Sequence, residues 1–204
     1  MISEKLKISH ISTGDIFREY IKKGDSLGTE LKGYIDNGHL VPDELTIKII
    51  YDRLHQDDVK EGALLDGYPR TKTQAVKLDE FLKEKNAKID YVVYLDVEDK
   101  IILDRILKRR ICGNQSCREI YNLEFKKPKE ENICDKCGSV LIQRPDDNEE
   151  VFKERLKVYR ETSPEIIEYY NSTGVLFVET ITTQNNKTSI DVANNFVEHT
   201  KKFN

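Results

Sequence analysis

Four cysteines fall within one short stretch, Cys112 and Cys117 followed after sixteen residues by Cys134 and Cys137, with Gly138 next in line. The spacing suits two knuckles closing on one tetrahedral zinc, since paired thiolates in short loops match that ion's preferred ligands. Four free buried thiols are the plain alternative, and two disulfides in a secreted protein are the other. Residues 1–10 are mixed polar and charged rather than an export signal, so a reducing cytosol and a metal are expected. A zinc whose every position is filled by thiolate serves structure, not catalysis. Its segment has few apolar residues, chiefly Ile120, Tyr121, Leu123, Phe125, Ile133, Val140 and Leu141, too few to fold well alone.

The second chemical signal is arginine. Arg18 follows Ser12-Thr13-Gly14-Asp15, and Arg70 ends Asp66-Gly67-Tyr68-Pro69-Arg70. Gly67 permits close backbone approach, Pro69 fixes a turn, and a guanidinium fork matches phosphate oxygens. Arg105, Arg109, Arg144 and Arg155 flank the cysteine segment. Taken singly, each reads as solvated surface charge, and Thr13 and Asp15 read as helix caps. Taken together, they suit phosphoryl transfer, where catalysis consists mainly of holding donor and acceptor in line and neutralising their oxygens.

These groups need a scaffold. Runs with strand character occur at 8–11, 63–65, 91–97 and 175–178, separated by long stretches with helical spacing. That alternation predicts an α/β fold, a mostly parallel sheet covered by helices. Both Thr13 and Arg70 then lie just beyond strand ends, the sheet edge where ligands bind. Thr13 is expected to cap a helix ended by Gly24, and Ser26 to cap a second stopped by Gly38. Asp43 opens a third, and Leu78, Phe81 and Leu82 line a fourth between Thr73 and Asn86. Residues 99–110 read as one helix, placing Arg105 and Arg109 on a shared face, and 149–160 read as another. The cysteine segment, about 111–143, is therefore an insertion between two helices of a core formed by 1–110 and 144–204.

Charge and composition limit the partners. The 33 basic residues are mixed among 37 acidic ones, for a net charge of −4, without the positive field that indiscriminate nucleic-acid binding needs. No apolar run approaches the roughly 20 residues of a membrane span. A soluble cytoplasmic protein without nucleic-acid or membrane partners is expected.

The order and spacing of His10-Ile-Ser-Thr-Gly-Asp-Ile-Phe-Arg18, Gly38-His-Leu-Val-Pro42, Leu65-Asp-Gly-Tyr-Pro-Arg70, Asp104-Arg105, Arg109-Arg110, Cys134-Asp-Lys-Cys-Gly138 and Gln143-Arg-Pro-Asp-Asp147 resemble the long, lid-bearing bacterial adenylate kinases. The resemblance runs from residue 2 to at least 178. It implies a nucleotide-kinase core, an AMP-binding segment at about 13–41, a mobile zinc-bearing lid near 111–143, and a monomer that handles ATP, AMP and ADP. By resemblance, Thr13, Arg18, His39, Leu40, Val41, Gly67, Tyr68, Pro69, Arg70 and Gln74 contact AMP. Arg144 and Arg155 grip phosphates on lid closure. Arg105 stacks on the ATP adenine, Arg109 holds phosphate, and Ile120 with Tyr121 touch ATP from the lid. Asp15 and Asp66 act through magnesium and its waters. Arg70, Arg109, Arg144 and Arg155 are the catalytic arginines implied.

Two features depart from that pattern. Nowhere do the 204 residues contain G-x-x-x-x-G-K, the loop that cradles the donor's phosphates, and the family's opening strand is likewise unmatched, which implies an incomplete sequence and low activity for this polypeptide. Without that strand its two neighbours in the sheet stand about 9.6 Å apart, too far to pair. The first knuckle is Cys-x4-Cys where Cys-x2-Cys is commoner. Competing readings are a non-catalytic AMP-binding protein, a kinase for another acceptor nucleotide, and a zinc ribbon that binds nucleic acid through Lys108, Arg109, Arg110, Lys126 and Lys127.

Overall fold

The computed structural model describes residues 1–201. After a short helix α1 (Ile2–Leu6) come β1 (Ser9–Ser12), α2 (Thr13–Lys23), α3 (Ser26–Asp36), α4 (Asp43–Leu54), β2 (Ala63–Asp66) and α5 (Lys72–Glu84). β3 (Val92–Val97) and α6 (Asp99–Leu107) lead into three short strands, β4 (Arg109–Cys112), β5 (Ile120–Asn122) and β6 (Leu141–Ile142). The chain returns through α7 (Glu149–Ser172), β7 (Leu176–Ile181) and α8 (Ser189–Lys201).

Helices alternate with strands, so the strands pair parallel, as βαβ connectivity requires. β1 lies beside β2, Ser9 opposite Ala63 and Ser12 opposite Asp66, and β3 lies beside β7, Val92 opposite Leu176 and Val97 opposite Ile181. The expected sheet is realised as these two separate pairs, with no ladder between β2 and β3 among the described residues. β2 and β3 instead face a common cleft of about 3440 Å³. The inserted segment is a small antiparallel sheet in the order β5-β4-β6. No helix among the described residues is long and apolar enough to cross a membrane.

Several boundaries differ from those read in the sequence. Thr13 is the first helical residue of α2 rather than its cap, and its hydroxyl is taken by Asp66 O at 2.9 Å. Asp25, not Ser26, caps α3, because its carboxylate reaches the Gly28 N–H at 2.7 Å. Thr71 caps α5 in the same way. The helix expected over 99–110 stops at Leu107, and Arg109 begins β4, so Arg105 and Arg109 share no helix face. The helical pattern at 149–160 continues to Ser172 through Pro164, and α8 follows a segment that carried no assignment.

Apolar burial is divided among small clusters rather than one core. Phe17, Leu31, Val41 and Ile49 knit α2, α3 and α4 together, Ile50, Tyr68 and Leu78 join α4 to α5, and Ile101, Ile181 and Val192 sit under α6 and α8. Leu78 is fully buried, at 0% exposure. Its α5 carries Gln74 and follows the loop that bears Arg70, so packing and site are coupled. Leu78→Ala is expected to destabilise the protein by about 2–5 kcal/mol through lost burial and a residual cavity. Denaturant unfolding checks this, and a loss under about 1 kcal/mol would show that the site collapses around the gap.

Candidate functional site

The ends of β1 and β2 are adjacent, so the loops that leave them stand side by side. The Thr13 hydroxyl bonds to Asp66 O and ties the two together. Arg18, on the second turn of α2, donates to Asp15 Oδ1 at 2.5 Å. Arg70 folds back on its own loop, Nε donating to Gly67 O at 2.9 Å. Gly67 lies at φ +73°, and a Cβ there would meet Arg70 Nη2 at 2.9 Å, so both its backbone conformation and the guanidinium exclude a side chain.

The other arginines arrive from the far side of the chain. Arg109 is held by Asp147 in a two-pronged pair, Nε donating to Oδ2 at 2.9 Å and Nη2 to Oδ1. Arg155, on α7, donates to Asp146 Oδ2 at 2.5 Å. Asp146 and Asp147 are both buried, and only Pro145 separates them from Arg144 in the sequence. Arg144 lies 3.8 Å from Asp15 Oδ1, and its buried Nε has no hydrogen-bond partner in the described residues. A buried guanidinium N–H without an acceptor is costly, which marks the place where an anion would be favourable.

Several of these cations lie near enough to act on Arg70 and Arg144. Burial depresses the Arg70 pKa, and Arg155 and Arg18 push it the same way. Arg70 keeps contact with water through the cleft, so the desolvation reflects protein crowding around it rather than closure. Burial, Arg18 and Arg109 likewise depress Arg144. Burial alone would lower Arg109 too, but the Asp147 carboxylate outweighs it and raises the value. For Asp15, burial works upward and is overcome by Arg18, Arg144 and Arg118, which hold it low. Arg70, Arg105, Arg109 and Arg155 line the same cleft, and charge coupling links Arg18 and Arg144 to them.

Arg105 occupies a separate corner of that cleft. Its Nη2 donates to Lys187 O at 2.9 Å, and its guanidinium stands 5.9 Å from the Phe125 ring centre. Ile120 is half exposed beside it on the cleft wall. Tyr121 also borders the cleft, but its side chain turns inward, donating to Cys134 Sγ at 3.5 Å and accepting from the Asp135 N–H at 2.7 Å.

On the opposite wall, Gly38, Leu40, Gly67, Tyr68 and Pro69 border the cleft. Gly38, at φ +76°, approaches Val151 O so closely that a Cβ would lie at 3.0 Å, which seats the segment carrying His39, Leu40 and Val41 against α7. His39 Nε2 lies 3.8 Å from Glu154. Val41 is buried in the α2–α4 cluster, and Gln74 is buried at the start of α5. Asp66 is exposed, 3.3 Å from His10 Nε2.

The four sulfurs of Cys112, Cys117, Cys134 and Cys137 all lie within 4.8 Å of one another, with Cys112 to Cys137 at 3.3 Å and Cys117 to Cys134 at 3.7 Å. Tetrahedral thiolates about 2.3 Å from a zinc would stand roughly 3.8 Å apart, so the donor set and its spread fit such an ion. The four cysteines are free of disulfides. The cysteine segment also touches α2: Arg118 pairs with Glu19 at 2.8 Å, and Lys22 with Gln115.

Comparison with known proteins decides the family. The family model described as Adenylate kinase matches residues 1–175. The chain belongs to the adenylate kinase family. It is 48% identical over 194 residues to the adenylate kinase of Clostridium tetani, covering 95% of this chain and 89% of that one. It is 51% identical over 175 residues to that of Clostridium beijerinckii, covering 86% and 80%, and 48% identical over 176 residues to that of the archaeon Archaeoglobus fulgidus, again 86% and 80%. Adenylate kinases are phosphotransferases, and the site's arginine shell is the kind of chemistry a nucleoside monophosphate kinase uses.

Sequence reading singled out the arginines and Asp15 but not Asp146 and Asp147, the carboxylates that hold Arg155 and Arg109. Asp146 and Asp147 lie inside the Gln143–Asp147 motif, and two adjacent acids just after Arg144-Pro145 were the available signal. The carbonyl of Lys187 had none, since any residue type supplies it.

The Asp146–Arg155 pair carries a pH signature. Burial raises the Asp146 pKa, yet the bond and charge of Arg155 win and leave it below the ordinary 3.8. The stability this pair contributes is therefore complete above the unfolded value and is lost as pH falls through the lower, folded one. Asp146→Asn is expected to cost about 2–4 kcal/mol at pH 7 and to flatten the acid loss below about pH 4. Denaturant unfolding from pH 7 to pH 2.5 measures both, and an unchanged acid limb would assign the effect elsewhere.

Proposed function

We propose that the site transfers a phosphoryl group reversibly between ATP and AMP, giving two ADP. What carries the reading is the convergence of guanidinium groups from four parts of the chain, with the buried Arg144 Nε left without an acceptor. Phosphate oxygens are the natural acceptor for such a shell. In this reading, residues 1–110 and 144–204 form the core and 111–143 the lid. AMP lies against the segment 13–41 and the loop of Gly67, Tyr68, Pro69 and Arg70, with Gln74 at its base. Arg105, Ile120 and the Tyr121 backbone receive the ATP adenine, while Arg109, Arg144 and Arg155 span the phosphates. Asp15 and Asp66 hold waters of the magnesium that accompanies ATP, and that ion supplies charge neutralisation on the donor's phosphates. The protein works as a monomer, without nucleic acid.

Lid closure would bring α7's Arg155 and Arg144, the first residue after the lid, nearer Arg70, a movement opposed by like charge until phosphate enters. Substrate thus supplies the counter-charge that makes closure favourable.

The function is tested by ADP formation from ATP and AMP, together with calorimetry of each nucleotide. Arg70→Ala is expected to weaken AMP binding by about a hundredfold, the scale of one or two charge-assisted bonds. The melting temperature should barely move, since the Arg70 side chain bonds only to Gly67 O among the described residues and is repelled by its neighbours. Equal losses in affinity and stability would identify a structural residue instead. The 204-residue polypeptide itself is expected to turn over slowly, because it contains no G-x-x-x-x-G-K loop and one missing preorganised donor already costs about 10²–10³ in rate. Rapid turnover would refute that.

For the lid we propose zinc held by Cys112, Cys117, Cys134 and Cys137. The segment's own core is only Cys112, Tyr121, Cys134 and Leu141 with Cys117 against it, so metal supplies much of its folding energy. One zinc per chain is expected by elemental analysis. Chelation should raise hydrogen exchange across 109–142 while leaving α4 and α5 protected, and unchanged exchange would overturn the assignment.

A further inference from the structure

Two residues separate Cys134 from Cys137, yet four separate Cys112 from Cys117, although all four sulfurs meet in one cluster. The cluster itself does not need the longer spacing. Two additional residues give the first knuckle up to about 7 Å more chain, and that chain is held in shape. Asn114 O accepts from the Cys117 and Arg118 N–H groups at 3.1 and 3.0 Å, and Asn114 Oδ1 accepts from the Ser116 N–H at 3.0 Å. Arg118 then takes the left-handed conformation, at φ +47°, between the knuckle and β5.

What the long knuckle touches is α2. Arg118 Nη2 pairs with Glu19 Oε1 at 2.8 Å, and the Lys22 ammonium donates to Gln115 Oε1. Glu19 and Lys22 stand three residues apart and so share one face of their helix. Both contacts join residues 111–143 directly to residues 13–41, without passing through either parallel sheet. We propose that the first knuckle is a finger that couples the lid to the acceptor segment, so that nucleotide bound at one site strengthens binding at the other. The inference rests on the reading of those two segments given above.

The argument is one of linkage. A nucleotide that holds the lid in this arrangement leaves α2 less to lose by joining it, and the converse follows by thermodynamic reciprocity. Both ends of the Arg118–Glu19 pair are exposed, which limits its weight to a few-fold in an equilibrium. That is enough to tune the coupling and too little to lock the lid. Phosphate charge and the shared arginines also link the two sites. Changes to the finger leave those contributions alone, so its share is the difference between variant and parent.

The experiment is calorimetry of the β,γ-methylene analogue of ATP, with and without saturating AMP, on the parent protein, Arg118→Ala, Glu19→Ala and the double variant. The ratio of the analogue's affinity with AMP to its affinity without is expected to fall about two- to fivefold in Arg118→Ala, by as much in Glu19→Ala, and no further in the double variant. Exchanging the charges, Arg118→Glu with Glu19→Arg, should restore most of it. Affinity for either nucleotide alone is expected to stay at the parent's value, since neither residue lines the cleft. An unaltered ratio in the single variants, losses that add in the double variant, or equal weakening of each nucleotide bound alone overturns the proposal. A parent that binds the ATP analogue but not AMP defeats the acceptor-site reading itself, and this inference falls with it.

Discussion

The site depends on keeping several like charges within one another's reach. Arg18 and Arg155 act on Arg70, and Arg18 and Arg109 on Arg144, and without compensation such a cluster would drive its own segments apart. Three carboxylates prevent this. Asp15 steadies Arg18 and Arg144, Asp146 holds Arg155, and Asp147 grips Arg109 with both oxygens. Compensation is incomplete: among the described residues Arg70 has no acid partner in contact and Arg144 keeps an orphan N–H. The residual positive field is what a polyphosphate would neutralise.

The backbone explains how residues so far apart in sequence come to share one cleft. Parallel pairing aligns the ends of β1 and β2, so the loops opening at Thr13 and Asp66 emerge together. β3 and β7 do the same for the α6 end that carries Arg105 and for the loop that offers the Lys187 carbonyl. Glu179 on β7 pairs with the Lys187 ammonium and accepts from Asn195 of α8, fixing that loop from behind. Arg70 and Arg144 thus ride on loops, Arg18, Arg105, Arg109 and Arg155 on helices and a strand, and their spacing is set by ladders and small apolar clusters.

Much of this was legible in the sequence because it is carried by residue types with few uses. Four cysteines in a short stretch, arginines after strand ends, and glycines at the two tight loops all pointed to their places before any coordinates did. Helix stops were less legible. Residues 99–110 keep a helical pattern through Arg109, yet Arg109 pairs with Asn122 across β4 and β5, a long-range ladder that overrides local propensity. Ser26 and Asp25 are both good caps, and only the reach of the Asp25 carboxylate to Gly28 separates them.

The pairing of Arg118 with Glu19, and of Lys22 with Gln115, joins the cysteine segment to α2 through side chains that water also reaches. Contacts of that sort are weak and are attenuated by dissolved ions. The cysteine segment and α2 are therefore clasped by something closer to a fridge magnet than a hinge pin: enough to bias their meeting, too little to fix it.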